Sequence, residues 1–193
     1  MTNFFGRDGR SKLDYNSFGD VIFYTAYRTN KYNLICAPFV GINHHWNNIL
    51  FGCAFLINET IASFIWLFVT FLTAMGGKQL ISIFTDQDQA MTNAIKEVFP
   101  KSRHWLCLWH ISQNAKKKKK KLAGLYSNHD FHESFNKCLY GNMNVMEFEA
   151  TWSVMIKKHK QQNNDWLNRL YHVQEKWCPS FNVDFFLAKI KST

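Results

Sequence analysis

Two aspartates stand where a short apolar segment ends and a helical pattern begins. Asp86 and Asp88 follow Leu80–Phe84, and a carboxylate at the end of a strand can project towards a neighbouring strand and bind Mg²⁺ or Mn²⁺. The same positions also suit a helix start, with Thr85 or Asp86 as the N-terminal cap and Asp88 as a first-turn acid stabilised by the helix dipole. From the residues alone, helix capping is the favoured interpretation.

A Cys-x-x-His motif lies further along the chain, at Cys107 and His110. Thiolate and imidazole are ligands that Zn²⁺ prefers, but two ligands do not close a tetrahedral site. His104 and Cys138 could complete it, although nothing in their spacing requires this. The favoured alternative is a small buried cysteine beside a hydrogen-bonded histidine.

Six consecutive lysines form the one low-complexity segment: Lys116, Lys117, Lys118, Lys119, Lys120 and Lys121. Such a run can contact the phosphates of nucleic acid or direct nuclear import. The alternative, slightly favoured because a homopolymer carries little positional information, is a solvated helix face.

The composition describes a basic chain with enough apolar residues for a core. Of 193 residues, 47% are hydrophobic and 17% aromatic, and the net charge is +9. The first two values exclude a disordered tail, and the charge favours nucleic acid as a partner. The five cysteines are odd in number and no secretory signal opens the chain, so we expect reduced thiols in the cytoplasm or nucleus.

Short apolar runs separated by turn-forming residues predict the elements that must position these side chains. Strands are expected at Val21–Tyr27, Leu34–His44, Ile49–Ile57, Leu80–Phe84 and Arg103–Trp109. Helices are expected from Glu59-Thr60 to Gly76-Gly77, from Gln87 to Val98, and from Ile111 onward. The apolar run Ile61–Ala74 is too short to span a bilayer and predicts a buried helix, so no membrane partner is expected. The order of elements predicts an α+β fold with a mixed sheet.

The late aromatic and acidic residues have helical spacing. Trp152, Trp166, Tyr171 and Trp177 lie among basic residues, which could indicate base stacking, but their spacing favours the core of a helical bundle. The glutamates in this part are expected to be exposed helix charges: Glu147, Glu149 and Glu175.

Motifs along nearly the whole chain resemble the transposase domain of the plant far-red-impaired-response proteins, which are domesticated relatives of Mutator-like element (MULE) transposases. The matching segments are Asp8–Ser11, Asp14-Tyr15, Phe18–Val21, Tyr27–Tyr32, Ala37–His45, Leu50–Ala54, Trp66–Phe68, Ala74–Lys78, Thr85–Met91, Val98–Pro100, Cys107–His110, Trp177–Pro179 and Asp184–Phe186.

The resemblance implies a ribonuclease-H-like core, with a mixed five-stranded sheet and flanking helices, followed by a helical appendage. The expected domains are a tail of a preceding segment at 1–18, the transposase core at 19–122, and the appendage at 123–193, which stops before the end of the family domain.

Such a core cleaves phosphodiesters with two divalent ions held by converging carboxylates. The resemblance places the second carboxylate of the family at Asp86 and the first at position 24. This chain has Tyr24 there, and a phenol, with a pKa of about 10, is a poor Mg²⁺ ligand at neutral pH. Asp20 lies four residues upstream, roughly 13 Å along a strand, and cannot substitute without a register shift.

The third carboxylate, a glutamate that follows the segment matched by Phe185–Ala188 in the family, is not reached before Thr193. The sequence therefore predicts an inactive nuclease site, with Mg²⁺ expected only if the site were intact and Zn²⁺ only at Cys107 and His110. The resemblance implies a nuclear role in transcription regulation, with weak or non-specific DNA contact and homo- or heterodimers as further expectations. The alternatives are an active metal-dependent transposase or nuclease and a non-functional gene fragment.

Overall fold

The computed structural model describes residues 2–18, 20–23, 32–42, 47–117, 122–141 and 143–181. It divides into two compact units, Met1–Trp105 and Leu106–Thr193. The division differs from the domain boundaries expected at 18/19 and 122/123. The helices that follow the last strand are already part of the second unit, and the first 18 residues belong to the first.

The first unit is built on a mixed sheet of six strands. Its spatial order is β1-β4-β3-β2-β5-β6, with the bounds β1 Phe4–Gly6, β2 Asp20–Phe23, β3 Ile35–Ile42, β4 Asn48–Leu56, β5 Ser82–Thr85 and β6 Arg103–Leu106. The pairs β1–β4, β4–β3 and β3–β2 are antiparallel, whereas β2–β5 is parallel. The predicted α+β class is confirmed, and the sheet has one strand more than the five expected.

The additional strand comes from residues that the sequence assigned to a tail. Phe4 pairs with Phe55 in the β1–β4 ladder, and α1 (Ser11–Phe18) packs against the sheet. Tyr15 of α1 is fully buried and its hydroxyl donates a hydrogen bond of 2.8 Å to the carbonyl of Lys78. These residues are short of apolar side chains, so their pairing depends on partners that local periodicity does not reveal.

The helix α2 (Ile61–Ala74) carries the chain from β4 to β5, with the bounds predicted from its apolar run. The side chain of Thr60 caps the start of this helix by accepting a hydrogen bond from the amide of Ser63. The helix ends in a Schellman motif at Gly76 and Gly77, both of which have φ near 80°. Its buried side includes Phe64, Leu67, Phe68 and Phe71. This pattern confirms a buried helix. No helix in the described part of the chain combines the length and apolar character required to cross a membrane.

The main core of the first unit lies between α1, α2 and α3 (Gln89–Val98) and one face of the sheet. Residues of β3 alternate: Ile35, Ala37 and Phe39 are buried, while the intervening side chains are half-buried on the other face. Phe39 stacks on Phe71 with ring centroids 3.9 Å apart. Aromatic contact of this kind adds roughly 0.5–1.5 kcal/mol to the burial of the rings.

The second unit contains five helices within its described residues: α4 Leu108–Lys117, α5 Ala123–Tyr126, α6 His129–Tyr140, α7 Val145–Lys158 and α8 Asp165–His172. Trp152, Trp166 and Trp177 are at most 5% exposed and share one apolar cluster. Core packing, rather than base stacking, is confirmed for these three tryptophans. Glu147 and Glu175 are exposed as expected, whereas Glu149 is half-buried and accepts a hydrogen bond from Tyr171.

Tyr15 tests whether the first 18 residues are part of the folded unit. We expect Tyr15→Ala to lower the free energy of unfolding by about 3–5 kcal/mol, because it removes a buried ring and leaves a cavity. Leu13→Ala, on the same helix at a side chain that is 69% exposed, should change it by less than about 0.5 kcal/mol. Urea denaturation measures both, and equal effects would contradict the assignment of α1 to the core.

Candidate functional site

Asp86 lies at the edge of the sheet where three strands end. β4 and β2 run in the same direction because both are antiparallel to β3, and β5 is parallel to β2. The carboxyl ends of β2, β4 and β5 therefore share one edge, and Asp86 is the first residue after β5. This is the position predicted for it from the sequence.

The carboxylate of Asp86 is used locally by the turn that precedes α3. Its Oδ1 accepts the amide N–H of Asp88 at 3.0 Å, and Asp88 Oδ1 accepts the amide of Met91 at 2.7 Å. The N-terminal cap of α3 is thus Asp88, not Thr85 or Asp86, and the helix begins at Gln89. The expected start at Gln87 was wrong because the Asp86–Asp88 turn takes two residues before the first helical turn.

Burial dominates the electrostatics of Asp86. Desolvation raises the pKa of this carboxyl above its ordinary value, the backbone hydrogen bond from Asp88 opposes the rise, and the charges of Asp88 and Glu59 add to it. Glu59 follows β4, at the same edge, and sequence analysis missed it. The shared direction of β4 and β5, which the predicted meander implies, is the signal that could have found it.

Position 24 lies outside the described residues, so the structure gives no contacts for Tyr24. The strand before it is described: β2 ends at Phe23, and Ile22 pairs with Phe84, two residues before Asp86. Asp20 pairs with Ser82, four residues before Asp86. The backbone of Asp20 is thus about 13 Å from that of Asp86 along the strands. Asp20 therefore lies well before the end of the strand at which Asp86 stands, and its predicted distance from position 24 stays a prediction.

Thr85 and His104 join the last two strands beside Asp86. Thr85 is fully buried, and its Oγ1 lies 2.7 Å from Nε2 of His104 and donates to the carbonyl of Asp86 at 2.9 Å. His104 belongs to the first unit, whereas Cys107 belongs to the second. The structure therefore gives His104 a partner in β5, a contact that no local sequence pattern indicates.

Cys107 and His110 are brought together at the start of α4. Burial alone would raise the pKa of the Cys107 thiol, but hydrogen bonds from the His110 side chain and backbone, the charge of His110 and the amide of Trp109 outweigh it, so this pKa lies below its ordinary value. Cys138, the other candidate ligand, is 1% exposed in the core of the second unit. Among the residues that the structure describes, no group of three or more His, Cys, Asp or Glu side chains could hold a metal ion.

The lysine run is described only at its beginning. Lys116 is exposed in the last turn of α4, with its Nζ 6.0 Å from the ring centroid of Tyr126, and Lys117 ends the helix. Lys118, Lys119, Lys120 and Lys121 lie outside the described residues.

Asp86→Asn tests whether the burial of this carboxylate is unfavourable. The pKa of Asp86 is raised in the folded protein, so protonation of this carboxyl stabilises the fold. That contribution is complete below the pKa of the unfolded chain, near 3.8, and is lost as the pH rises through the pKa of the folded protein. Asn keeps the acceptor for the Asp88 amide without the charge. We expect the variant to be more stable than the parent at pH 7 and the difference to shrink towards pH 3.

Urea denaturation at several pH values measures that difference. Glu97→Gln, which removes one exposed negative charge from α3, is the matched control and should show no such trend. A destabilised Asp86→Asn at pH 7 would contradict the assigned cause of the shift.

Comparison with known proteins places this geometry in a family. A family model for the MULE transposase domain matches residues 21–114, which include β2 except its first residue, all of β3 to β6 and most of α4. Protein FAR1-RELATED SEQUENCE 5 of Arabidopsis thaliana is 42% identical over 193 residues, 99% of this chain and 24% of that protein. Protein FAR-RED IMPAIRED RESPONSE 1 of Arabidopsis thaliana is 36% identical over 194 residues, 100% of this chain and 23% of that protein.

The chain spans about a quarter of the length of the curated relatives it matches. The matched segment contains the crossover from β2 to β5 and the turn at Asp86. The chain belongs to the plant far-red-impaired-response family of proteins with a MULE transposase domain.

Proposed function

We propose that this chain is a domesticated MULE transposase domain without metal-dependent strand cleavage, acting within a nuclear regulator of transcription. The observation that carries the proposal is Tyr24, at the position where the family pattern has its first catalytic aspartate. A phenol does not replace a carboxylate as a ligand for Mg²⁺ at neutral pH.

The proposed fold of the first unit is ribonuclease-H-like. An antiparallel meander of β2, β3 and β4, with β5 added in parallel beside β2 and β6 at the edge, supports it. In the resembled transposases one acid that binds metal lies on the first strand of the core and another follows the fourth strand. Here those strands are β2 and β5, which lead to Tyr24 and to Asp86.

The electrostatics around Asp86 support the same conclusion. Two-metal cleavage needs several carboxylates that converge on the ions, and the ions offset their mutual repulsion. The Asp86 carboxylate instead accepts a hydrogen bond from the amide of Asp88, and burial favours the neutral form of this acid. The described contact of this carboxylate thus serves the turn that begins α3.

A cleavage assay with a gain-of-ligand variant tests this proposal. We expect the chain to cut a labelled DNA duplex in Mg²⁺ or Mn²⁺ no faster than its Asp86→Asn variant does. Mn²⁺ should leave the Tm of the parent unchanged. It should raise the Tm of Tyr24→Asp, because a carboxylate at the family's first catalytic position, together with Asp86, would create metal affinity in the folded state.

Tyr24→Asp combined with Asp86→Asn is the matched control, and the Mn²⁺ response should disappear in it. Cleavage by the parent that is lost in Asp86→Asn would establish the alternative, an active nuclease. A Mn²⁺-induced rise of the parent's Tm would also contradict the proposal.

Membership of the family supports the proposed nuclear role in transcription regulation. The resemblance implies transcription regulation by proteins that carry further modules, and this chain covers about a quarter of the relatives. Within such a protein we assign this domain to contacts with nucleic acid or with a second regulator molecule.

The second unit is the better candidate for nucleic-acid contact, because it carries most of the net positive charge of the chain. By sequence, residues 106–193 hold fourteen Lys and Arg against seven Asp and Glu, whereas residues 1–105 hold nine against seven. On α4, Trp109 and Lys116 are spaced by seven residues and both are exposed, Trp109 by 42%. An exposed indole on the same helix face as a lysine suits stacking combined with phosphate contact.

The salt dependence of DNA binding tests the role of the lysine run. For a protein whose lysines neutralise phosphates, log K falls with log salt by about 0.9 per contact on duplex DNA. Replacing Lys116, Lys117 and Lys118 by Gln should reduce the slope by up to about 2.7 if all three make contacts. Replacing Lys12, Lys96 and Lys101, which are exposed in the first unit, removes the same charge and should leave the slope nearly unchanged.

Fluorescence anisotropy on one labelled duplex at several salt concentrations gives both slopes. If the slope fell equally in the two triple variants, DNA binding would depend on net charge alone and not on the lysine run. No measurable affinity at low salt would remove DNA from the proposed partners.

A further inference from the structure

Two cysteines of the first unit lie side by side on neighbouring strands. The Sγ atoms of Cys36 in β3 and Cys53 in β4 are 3.4 Å apart. In the ladder, Cys36 is opposite Phe55 and Cys53 is opposite Pro38, so the two cysteines are diagonal neighbours on one face of the sheet. Both side chains are half-buried, in contrast to Ile35 and Ala37 on the core face.

The backbone around the pair explains why this diagonal is short. The ladder contains a register shift between Phe39 and Val40, one residue after Pro38. A β-bulge increases the local right-handed twist of a strand pair, which shortens one of the two diagonals between the strands.

The two cysteines are free thiols, with no disulfide bond between them. Burial, followed by the hydrogen bond with Cys36 and the proximity of that thiol, raises the pKa of Cys53 to about 12. Cys53 is therefore held as a protonated donor next to Cys36. This arrangement keeps both sulfurs in contact without a bond between them.

We propose that Cys36 and Cys53 are a redox modification site, which a low-molecular-weight disulfide of the glutathione class closes into a disulfide between β3 and β4. Cys36 loses its proton, and its thiolate attacks the reagent disulfide. The displaced thiolate takes up a proton and leaves as one thiol, and a mixed disulfide remains on Cys36. Cys53 then loses its proton and attacks the Cys36 sulfur, and a second thiol leaves. The two cysteines are oxidised, and one reagent disulfide is reduced to two thiols.

The positions of the five cysteines favour a disulfide between Cys36 and Cys53 over any other pairing. The sulfurs need to approach by roughly 1.4 Å to reach the S–S bond length, a distance that side-chain rotation on a twisted strand pair can supply. Cys138 and Cys178 are 1% and 0% exposed, which shields them from a charged reagent. Cys107 has His110 as its partner rather than a thiol.

Peptide mapping of the oxidised chain tests the proposal directly. The full chain is incubated with glutathione disulfide, its free thiols are then alkylated, and the linked peptides are identified by mass spectrometry. We expect Cys36 linked to Cys53 with no glutathione retained on either. We also expect a Tm raised by roughly 5 °C or more and restored by reductant, because the cross-link closes a loop in the unfolded chain.

Two variants separate the steps. Cys53→Ser should retain glutathione on Cys36, since the resolving thiol is absent, and Cys138→Ser should form the link as the parent does. Glutathione that stays on Cys36 of the parent, a link to another cysteine or a link between chains would each overturn the proposal. The measurements need no DNA or metal, so their outcome does not depend on the proposed function.

Discussion

The parallel pairing of β2 with β5 is the constraint on which the rest of the first unit depends. Two adjacent parallel strands cannot be joined by a tight turn, so the chain must leave the sheet and cross it before returning. Here the return passes through β3 and β4 and then through α2. A helix without a charged residue meets this requirement, because it can cover the sheet with Phe64, Phe68 and Phe71.

The same constraint fixes where the candidate site lies. Because β2, β4 and β5 point in one direction, the residues after each strand meet at one edge, and Glu59 and Asp86 are among them. An edge that collects acids is unfavourable unless cations or hydrogen bonds compensate for the repulsion. At Asp86 the compensation that the structure describes is the amide of Asp88. A position suited to metal chemistry thus also serves to start a helix.

The two units differ in how they use charge and aromatic residues. The first is nearly balanced in charge and places its phenylalanines between helices and sheet, whereas the second carries most of the positive charge around a tryptophan-rich core. Since Trp152, Trp166 and Trp177 are buried, base stacking by them is excluded by packing. An exposed residue such as Trp109 remains available for that purpose.

Sequence by itself determined the elements whose signals are local. The bounds of α2, the Gly76-Gly77 stop and the strand before Asp86 were predictable, because apolar periodicity and glycine at positive φ act within a few residues. The family motifs also predicted Asp86 as the remaining acid and Tyr24 as the substituted one. These conclusions need residue identities and short spacings, not contacts.

Tertiary structure alone decided which distant residues share an environment. The strand β1, the burial of Tyr15, the Thr85–His104 contact and the approach of Cys36 to Cys53 depend on ladder register between segments far apart in the chain. Register is set by the sum of many weak side-chain contacts across strands, and a slip of one residue would turn every side chain to the opposite face. Local sequence patterns do not report these cross-strand contacts. The sequence therefore identifies the residues but does not predict that they lie close together.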